Sequence, residues 1–473
     1  MTALILAVTL IGTAWPLLLR VTANVQFDYD EGWNAYRDRS AAYLIALYSA
    51  PPKFEITNYP PLSFHLIGLL SWLTGSVTTT GRIISLVSLA VVCWVIRLVT
   101  RLFTTTGYAG ACAALLFVLL LEVWMPNRIG VNDPQLLGMA FEVTAFYVLI
   151  KHPRSARSGC LSAALFVIAL FTKQNLVALP IGAGLSLLIG RAWRPLFYWA
   201  TAGLVSVAVL LLATHVIDGP YFLSDLMRGR AYRVADAVSQ GGLYLLVFLP
   251  YVGIAAVWAF RNRASVERRP LILAWLAAHG LGLVLSGGDG TGGNMFFEAM
   301  VLNCVIVVIA YEDYFQRTPA LPARRSVALL LLLVLLPACL LPRKISVGLS
   351  EWRNLPQMQD DFARGVKLLR SSSSPVVCEN LLMCERAGKA SAFDPYFVRD
   401  QIRLGRIKES DIVELVKDRR LGMVEIGDYD RPEPPTRTHA RYTMLFLQTL
   451  LANYTISLRT PEFTIWVPKA AAG

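Results

Sequence analysis

Residues 27–34 read Phe-Asp-Tyr-Asp-Glu-Gly-Trp-Asn and follow a first apolar run at residues 3–20. Further along comes the stretch 58–65, which reads Asn-Tyr-Pro-Pro-Leu-Ser-Phe-His. A carboxylate at the mouth of an apolar segment is costly to desolvate. The pair Asp30-Glu31 therefore needs a functional reason, and we interpret it as part of a site at a membrane surface.

The composition identifies the class of protein. Of the 473 residues 55% are hydrophobic and 16% are charged, which is too apolar for an ordinary soluble chain of this length. Recurrent apolar runs predict a polytopic α-helical membrane protein of about eleven transmembrane helices. The candidate spans are 3–20, 81–100, 108–126, 134–150, 160–172, 176–190, 195–214, 242–260, 271–286, 297–311 and 326–342.

The loops between these spans fall into two classes. One class is short and basic, with 14 Lys and Arg in 97–107, 151–159, 190–195, 261–270 and 311–325. Positive charge marks the cytoplasmic side, so we predict an N-terminus inside and a C-terminus outside. The net charge of +12 then follows from topology and does not indicate a nucleic-acid partner. The first span could instead be a signal peptide, but no Lys or Arg precedes it.

Residues 343–473 are much richer in charged residues than residues 1–342. We predict a transmembrane domain over 1–342, whose outer loop 21–80 carries interfacial helices (62–74 among them), and a soluble extracytoplasmic α/β domain over 343–473. Within the latter, patterning predicts a helix at 409–419 and strands at 374–378, 423–426 and 463–467. Five of the seven Cys lie in apolar spans and are interpreted as small buried hydrophobic residues. The other two, Cys378 and Cys384, could form a disulfide, and the sequence leaves this open.

Four outward-facing features converge by this topology. They are Asp30-Glu31, the stretch 127–134 (Asn-Arg-Ile-Gly-Val-Asn-Asp-Pro), the stretch Thr172-Lys173-Gln174-Asn175, and Asn294 to Glu298 after a glycine-rich loop. A lysine that ends a short span lies below the membrane surface, where its charge is costly unless an anion is present. The phosphate of a lipid carrier is such an anion.

This set of side chains suits glycosyl transfer from a polyprenyl-phosphate sugar. Cleavage of the glycosidic bond builds charge on the phosphate, which a fixed cation stabilises most in the transition state. The accepting hydroxyl needs one general base. A single carboxylate opposite the leaving group gives displacement with inversion, unlike the two-carboxylate arrangement of glycoside hydrolases.

The chain resembles family 39/83-type glycosyltransferases of the GT-C superfamily. The bacterial branch of that superfamily includes lipid A aminoarabinose transferases, protein O-mannosyltransferases and rhizobial lipopolysaccharide galacturonosyltransferases. The stretches that carry the resemblance, in order over residues 1 to about 310, are 30–32, 58–62, 132–134, 172–173 and 293–298.

The resemblance implies a role for each matching residue. Asp30 would be the general base, and Asp133 and Glu31 would be further catalytic acids. Lys173 would bind the donor phosphate together with Arg128 and Tyr59. Tyr59 stands where some relatives carry a phosphate-binding lysine. Arg128 or an arginine of the 228–233 loop could take the place of that lysine. Substrate-binding residues would be Asn58, Asn132, Gln174, Asn294 and Glu298. A divalent metal ion is left open, with Asp133, His65 and His215 as its ligands.

Simpler roles remain open beside these. Asp133 before Pro134 fits a helix cap, Lys173 fits a snorkelling end residue, and Glu298 fits a cap as well. We interpret the arginines at 228, 230 and 233 as either a basic surface face or a contact for an anionic substrate, and slightly favour the basic face.

The expected function is thus an inverting glycosyltransferase of the cytoplasmic (inner) membrane whose site faces the periplasm or cell exterior. Its partners would be the bilayer, a polyprenyl-phosphate-sugar donor and a glycan, lipid or protein acceptor of the envelope. A transporter or flippase of a lipid-linked or anionic solute is the alternative.

Overall fold

The computed structural model describes residues 20–48, 54–317, 333–430 and 441–470, together with Leu18 and Ala50. Its helices are α1 (Tyr29–Ala42), α2 (Leu62–Thr74), α3 (Val77–Arg101), α4 (Ala109–Trp124), α5 (Gln135–Lys151), α6 (Ala156–Thr172), α7 (Ala178–Ile189), α8 (Trp193–Asp218), α9 (Phe222–Leu226), α10 (Val234–Arg261), α11 (Arg269–Leu285), α12 (Phe297–Arg317), α13 (Leu341–Arg370), α14 (Leu381–Ala387), α15 (Pro395–Arg403), α16 (Glu409–Lys417) and α17 (Met444–Asn453).

Nine of the eleven predicted membrane helices are present in the described part of the chain. Nine predicted spans, from 81–100 to 297–311, coincide with α3 to α8 and α10 to α12 within a few residues, except that α10 begins eight residues earlier. The span 3–20 lies outside the described residues apart from its end, and 326–342 is described only from residue 333. By length and apolar character, four described helices could each cross a membrane: α3, α8, α10 and the one over 293–316. The count of eleven spans stays a prediction.

The loops gather at two opposite ends of the helices, as their charge patterns predict. At one end Glu312 accepts hydrogen bonds from Thr105 and Thr106, which joins two of the basic loops. At the other end Gln174 donates to the carbonyl of Asn58 at 2.8 Å, which joins two of the predicted outer segments. The chain is therefore two-sided, and which side faces the cytoplasm stays a prediction.

The C-terminal part contains a four-stranded sheet. Its strands are β1 (Val376–Cys378), β2 (Met423–Gly427), β3 (Tyr454–Arg459) and β4 (Phe463–Pro468), in the spatial order β1-β2-β4-β3. β1 and β2 are parallel, and the other neighbours are antiparallel. Three of these strands and α16 were predicted. The pair Cys378–Cys384, left open by the sequence, is disulfide-bonded.

The acidic segment 27–34 and helix α1 lie between the membrane helices and this sheet domain. Helix α1 begins after Asp28, whose carboxylate accepts the backbone N–H of Asp30 as an N-cap. One face of α1 packs on α2 and α3, and α14 of the sheet domain packs on α1 as well. The predicted acidic stretch thus lies at the junction of the two parts of the chain.

Candidate active site

Arg128 joins the two acidic segments that the sequence singles out. One of its guanidinium nitrogens lies 2.5 Å from Asp30 Oδ2 and 2.7 Å from Asp133 Oδ2. The same nitrogen is 3.7 Å from a carboxylate oxygen of Asp28, and Lys173 Nζ is 3.9 Å from Asp133. Three carboxylates and two cations from three segments of the chain therefore meet in one cluster.

Exposure distinguishes the two carboxylates that Arg128 bridges. The side chain of Asp30 is 30% exposed, whereas that of Asp133 is only 2% exposed. Asp133 also accepts the backbone N–H of Gln135 at 2.7 Å, so it caps α5 while it holds Arg128. Asp133 therefore has both of the roles that we considered from the sequence, a helix cap and a charged contact in the site. Of these two carboxylates, Asp30 is the one that can reach a substrate directly.

The charges around Asp30 keep it ionised. Burial alone would raise the pKa of Asp30, but the positive charges of Arg128 and Lys173 outweigh burial and lower the pKa below its ordinary value. At the neighbouring Asp28, by contrast, burial dominates and the pKa is raised. Asp30 is therefore an anion that is ready to accept a proton, although Arg128 weakens it as a base.

Tyr59 and Lys173 form a direct pair. The ammonium of Lys173 lies 3.5 Å from the centre of the Tyr59 ring, and the lysine is 3% exposed. Such a cation–π contact helps to hold a buried ammonium in place. Tyr59 thus contacts the lysine that directly follows α6.

A cavity of about 420 Å³ opens beside Asp30, within the size range of small-molecule sites. Its walls contain six aromatic residues, four arginines and four carboxylates. These are Phe27, Tyr29, Trp33, Tyr59, Tyr396 and Phe397; Arg128, Arg228, Arg230 and Arg441; and Asp28, Asp30, Asp394 and Asp400. Aromatic faces and ionised groups together suit a charged, sugar-containing ligand.

The sheet domain supplies one wall of this cavity. Asp394 accepts hydrogen bonds from Trp33 Nε1 at 3.2 Å and from the Tyr29 hydroxyl at 3.3 Å. The glycine-rich loop is fastened to the same domain, since Asp289 pairs with Arg399 at 2.7 Å and with Arg403 at 3.0 Å. Nothing in the sequence pattern indicated the residues that this wall contributes, because they lie far from the recognisable stretches.

The arginine cluster needs a correction. The sequence slightly favoured a surface basic face for residues 228, 230 and 233, but Arg228 and Arg230 line the cavity. Arg233 instead forms an exposed ion pair with Asp236. Two of the three arginines are therefore placed to meet an anion.

Glu31 also needs a correction as a catalytic residue. Its carboxylate is completely buried and accepts two hydrogen bonds from Arg82, at 2.7 and 2.8 Å. It also accepts the backbone N–H groups of Phe27 and Asn132. A buried carboxylate that accepts these four hydrogen bonds stabilises the fold and has no access to a substrate. We therefore do not assign Glu31 a catalytic role.

Several predicted substrate-binding residues have packing roles. Asn132 is completely buried and donates to Asp38 at 2.6 Å. Asn294 donates to Gln135, and Glu298 accepts the backbone N–H groups at the start of α7. Glu298 is therefore a helix cap, as the simpler alternative held. Asn58 does line the cavity, and Gln174 fixes the Asn58 backbone.

The predicted metal ligands do not assemble. His65 lies 2.9 Å from Asp218, while His215 lies on the exposed side of α8. Throughout the described ranges, no three His, Cys, Asp or Glu side chains form a group that could hold a metal ion. Between Asp30 and Asp133 the bridging charge is Arg128. These residues do not fit a metal, and we derive no step through one.

Comparison with solved structures finds the same architecture. The ArnT structure from Cupriavidus metallidurans bound to undecaprenyl phosphate superposes with a TM-score of 0.59 at 14% identity, over 99% of this chain and 98% of that one. The apo state of the same protein gives 0.61 at 14% identity with the same coverage. No protein-family model and no curated protein sequence matches the chain.

A second group of solved structures is also similar. The Archaeoglobus fulgidus oligosaccharyltransferase in complex with Zn and sulfate gives a TM-score of 0.55 at 12% identity, over 89% of this chain and 67% of that one. The AglB structure from the same organism, with an inhibitory peptide and a dolichol-phosphate, gives 0.54 at 10% identity, over 100% and 74%. Identities this low show the fold alone: the chain shares the membrane fold of these ArnT and AglB structures, in agreement with the fold that the sequence resemblance implied.

Proposed function

We propose that this protein is an inverting glycosyltransferase that moves a sugar from a polyprenyl-phosphate-linked donor to an acceptor hydroxyl. The observation that carries the proposal is the partly exposed carboxylate of Asp30, which lines a cavity of sugar size beside the partly buried Arg128 and the buried Lys173. The structurally similar ArnT and AglB hold undecaprenyl phosphate and dolichol-phosphate, which supports a lipid-phosphate donor here.

In the proposed reaction Asp30 acts as the general base. The acceptor oxygen attacks the anomeric carbon while its proton passes to Asp30, so that a new glycosidic bond forms. The bond between the anomeric carbon and the phosphate oxygen breaks on the opposite face, and the polyprenyl phosphate leaves with the electron pair. Attack opposite the leaving group inverts the anomeric configuration.

The cations serve the leaving group. Negative charge accumulates on the phosphate as the bond breaks, and fixed cations in a water-poor site stabilise this charge more in the transition state than in the ground state. Lys173 is buried and held over Tyr59, and Arg128 lies at the cavity wall between Asp30 and Asp133. Asp133 positions both of them.

The site is proposed to work at the outer face of the cytoplasmic membrane. Its residues lie at the end of the helices opposite to the basic loops, which the charge rule assigns to the cytoplasm. The acceptor would be an envelope glycan, lipid or protein. The cluster lies at one end of the helices, beside the sheet domain, rather than midway along them as a transporter site would, so we do not carry the transporter alternative forward.

The test compares Asp30→Asn with Asp411→Asn, a matched change on the exposed helix α16. Mass spectrometry of the lipid that co-purifies in detergent first identifies the donor headgroup. Loss of the general base should then lower turnover by roughly 10²–10⁴-fold, while the melting midpoint and the co-purifying lipid stay as in the parent. Unchanged product yield in Asp30→Asn, or a co-purifying pyrophosphate-linked oligosaccharide, would count against the proposal.

A further inference from the structure

A second cavity of about 440 Å³ lies on the other side of the Asp28–Tyr29 segment. It shares Phe27, Asp28, Tyr29 and Arg441 with the first cavity, so the two are adjacent chambers. Its floor is the sheet domain at the ends of the parallel strands β1 and β2, where Glu379 and Gly427 lie. The crevice outside the carboxyl ends of parallel strands is a recurrent ligand-binding place in α/β sheets.

The walls of this second cavity are acidic. Among the described residues that line it are one arginine, Arg441, and five carboxylates: Asp28, Glu379, Glu425, Asp428 and Glu462. Arg441 forms an ion pair with Glu379, and its guanidinium lies 4.4 Å from the centre of the Tyr29 ring. Carboxyl groups outnumber the arginine among these described side chains, which favours a ligand that donates hydrogen bonds over an anion.

Glu425 is an independent sign of a ligand. Its side chain is completely buried, and Oε1 has no hydrogen-bond partner, while Oε2 accepts the backbone N–H of Asn380 at 2.8 Å. Buried polar atoms are normally paired, so an unpaired one in a cavity wall indicates a missing partner. Burial raises the pKa of Glu425 to about 8, which lets this carboxyl donate or accept a hydrogen bond near neutral pH.

These observations limit the chemistry of the ligand. A metal ion is disfavoured because the carboxylates of the described residues do not group closely enough to hold one. What remains is an uncharged or cationic group that is rich in hydrogen-bond donors. Sugar hydroxyls and sugar ammonium groups share that chemistry, and the cavity has the volume for a sugar residue.

We propose that the second cavity binds a non-anionic sugar residue of the acceptor, through hydrogen-bond donors that pair with Glu425 and its neighbouring carboxylates. The proposal rests on the proposed function, since it assigns the first cavity to transfer and the second to acceptor recognition. An acceptor held there would reach Asp30 past Asp28 and Tyr29, the residues that both cavities share.

The experiment is ligand-observed saturation-transfer NMR on the full chain in detergent at neutral pH. Its probes are N-acetylglucosamine, glucosamine and glucuronate at millimolar concentration. We expect signal from the first two, and little from the anionic glucuronate. The relative signal of the neutral and amino sugars then separates hydroxyl from ammonium recognition, and both results support the site.

Three variants locate the binding. Glu425→Met removes the unpaired oxygen and should weaken sugar binding about tenfold. Met358→Trp fills the cavity from a partly exposed position of α13 and should abolish binding even if Glu425→Met folds poorly. Glu414→Gln, an exposed change on α16, is the matched control and should bind as the parent does.

The outcomes separate the two proposals. Equal signal from glucuronate, no signal from any probe, or unchanged binding in Met358→Trp would overturn the acceptor site. Asp30→Asn should keep sugar binding although it loses transfer. If Asp30→Asn still transfers sugar while the cavity binds its probes as expected, the proposed catalytic role fails and the binding site stands.

Discussion

The buried pair Glu31–Arg82 gives the sharpest test of the structure, because the sequence alone made Glu31 catalytic. Arg82 donates to both carboxylate oxygens of Glu31 and also to the backbone carbonyls of Arg20, Ala23 and Val25, each at 2.6 Å. Both side chains are completely buried. Arg82 therefore ties α3 to the segment that leads into the active site.

Replacing only Glu31 leaves a buried guanidinium without its counter-ion. Removal of one partner of a buried ion pair costs about 3–5 kcal/mol. Glu31→Gln should therefore lower stability by about that amount, and lose activity because the segment before α1 is no longer held. Glu31→Leu combined with Arg82→Met removes both charges and should recover part of the loss, since no buried charge is left uncompensated. The recovery is incomplete because the backbone groups that the pair satisfies lose their hydrogen bonds.

The assay is thermal unfolding in detergent, followed by intrinsic fluorescence, together with turnover at a temperature where every variant is folded. Asp30→Asn is the matched comparison, because it should lose turnover and keep the parent melting midpoint. If Glu31→Gln instead keeps its midpoint and loses turnover as Asp30→Asn does, then Glu31 is catalytic and the structural assignment is wrong. If the double variant melts no higher than Glu31→Gln, the pair is not the source of the loss.

Three further predictions follow from the site. Chelators should leave turnover unchanged, because Arg128 supplies the positive charge between Asp30 and Asp133; loss of turnover that Mg²⁺ or Mn²⁺ restores would contradict this. The acid limb of the kcat/KM profile should lie below the ordinary Asp pKa of 3.8, because the charges of Arg128 and Lys173 outweigh burial and lower the pKa of Asp30. The base then loses its proton-accepting form only at lower pH. Arg128→Gln should move this limb to higher pH, and a limb that does not move would refute the assignment of Asp30 as the base. Removing the disulfide with Cys378→Ser and Cys384→Ser should destabilise the sheet domain by about 2 kcal/mol, because the unfolded chain is no longer constrained by the short loop that the bond closes between residues six apart. Denaturant unfolding of this variant and of the oxidised parent would measure the difference in the free energy of unfolding.

The sequence predicted most of the helical architecture because a membrane imposes a simple rule. Apolar runs bounded by charge must be helices there, so the bounds of α3 to α8 follow closely from composition. Three of the four strands were predicted from β-branched runs, whereas β3, with a mixed sequence in Tyr454–Arg459, was missed. Its pairing with β4 is a tertiary effect that local pattern does not contain.

The site was predicted only in part, for a physical reason. Residues such as Asp30, Asp133 and Lys173 lie at the ends of helices, where topology alone indicates that they meet. The wall that contains Asp394 and Arg441 comes from a separate domain, and the way in which that domain docks is decided by contacts such as Trp33 to Asp394. No spacing along the chain indicates such a contact.

The adjacent residues Asp30 and Glu31 show where motif-based reasoning ends. Both lie in the first turn of α1, where successive side chains point about 100° apart, so that at most one of them can face the cavity. Which one does is decided by Arg82, a charge on another helix that is completely buried and must have a counter-ion. Glu31 meets that need and turns Asp30 toward Arg128 and the cavity. The Asp-Glu pair is thus one structural anchor and one candidate base, and exchanging the two residues should destroy both roles.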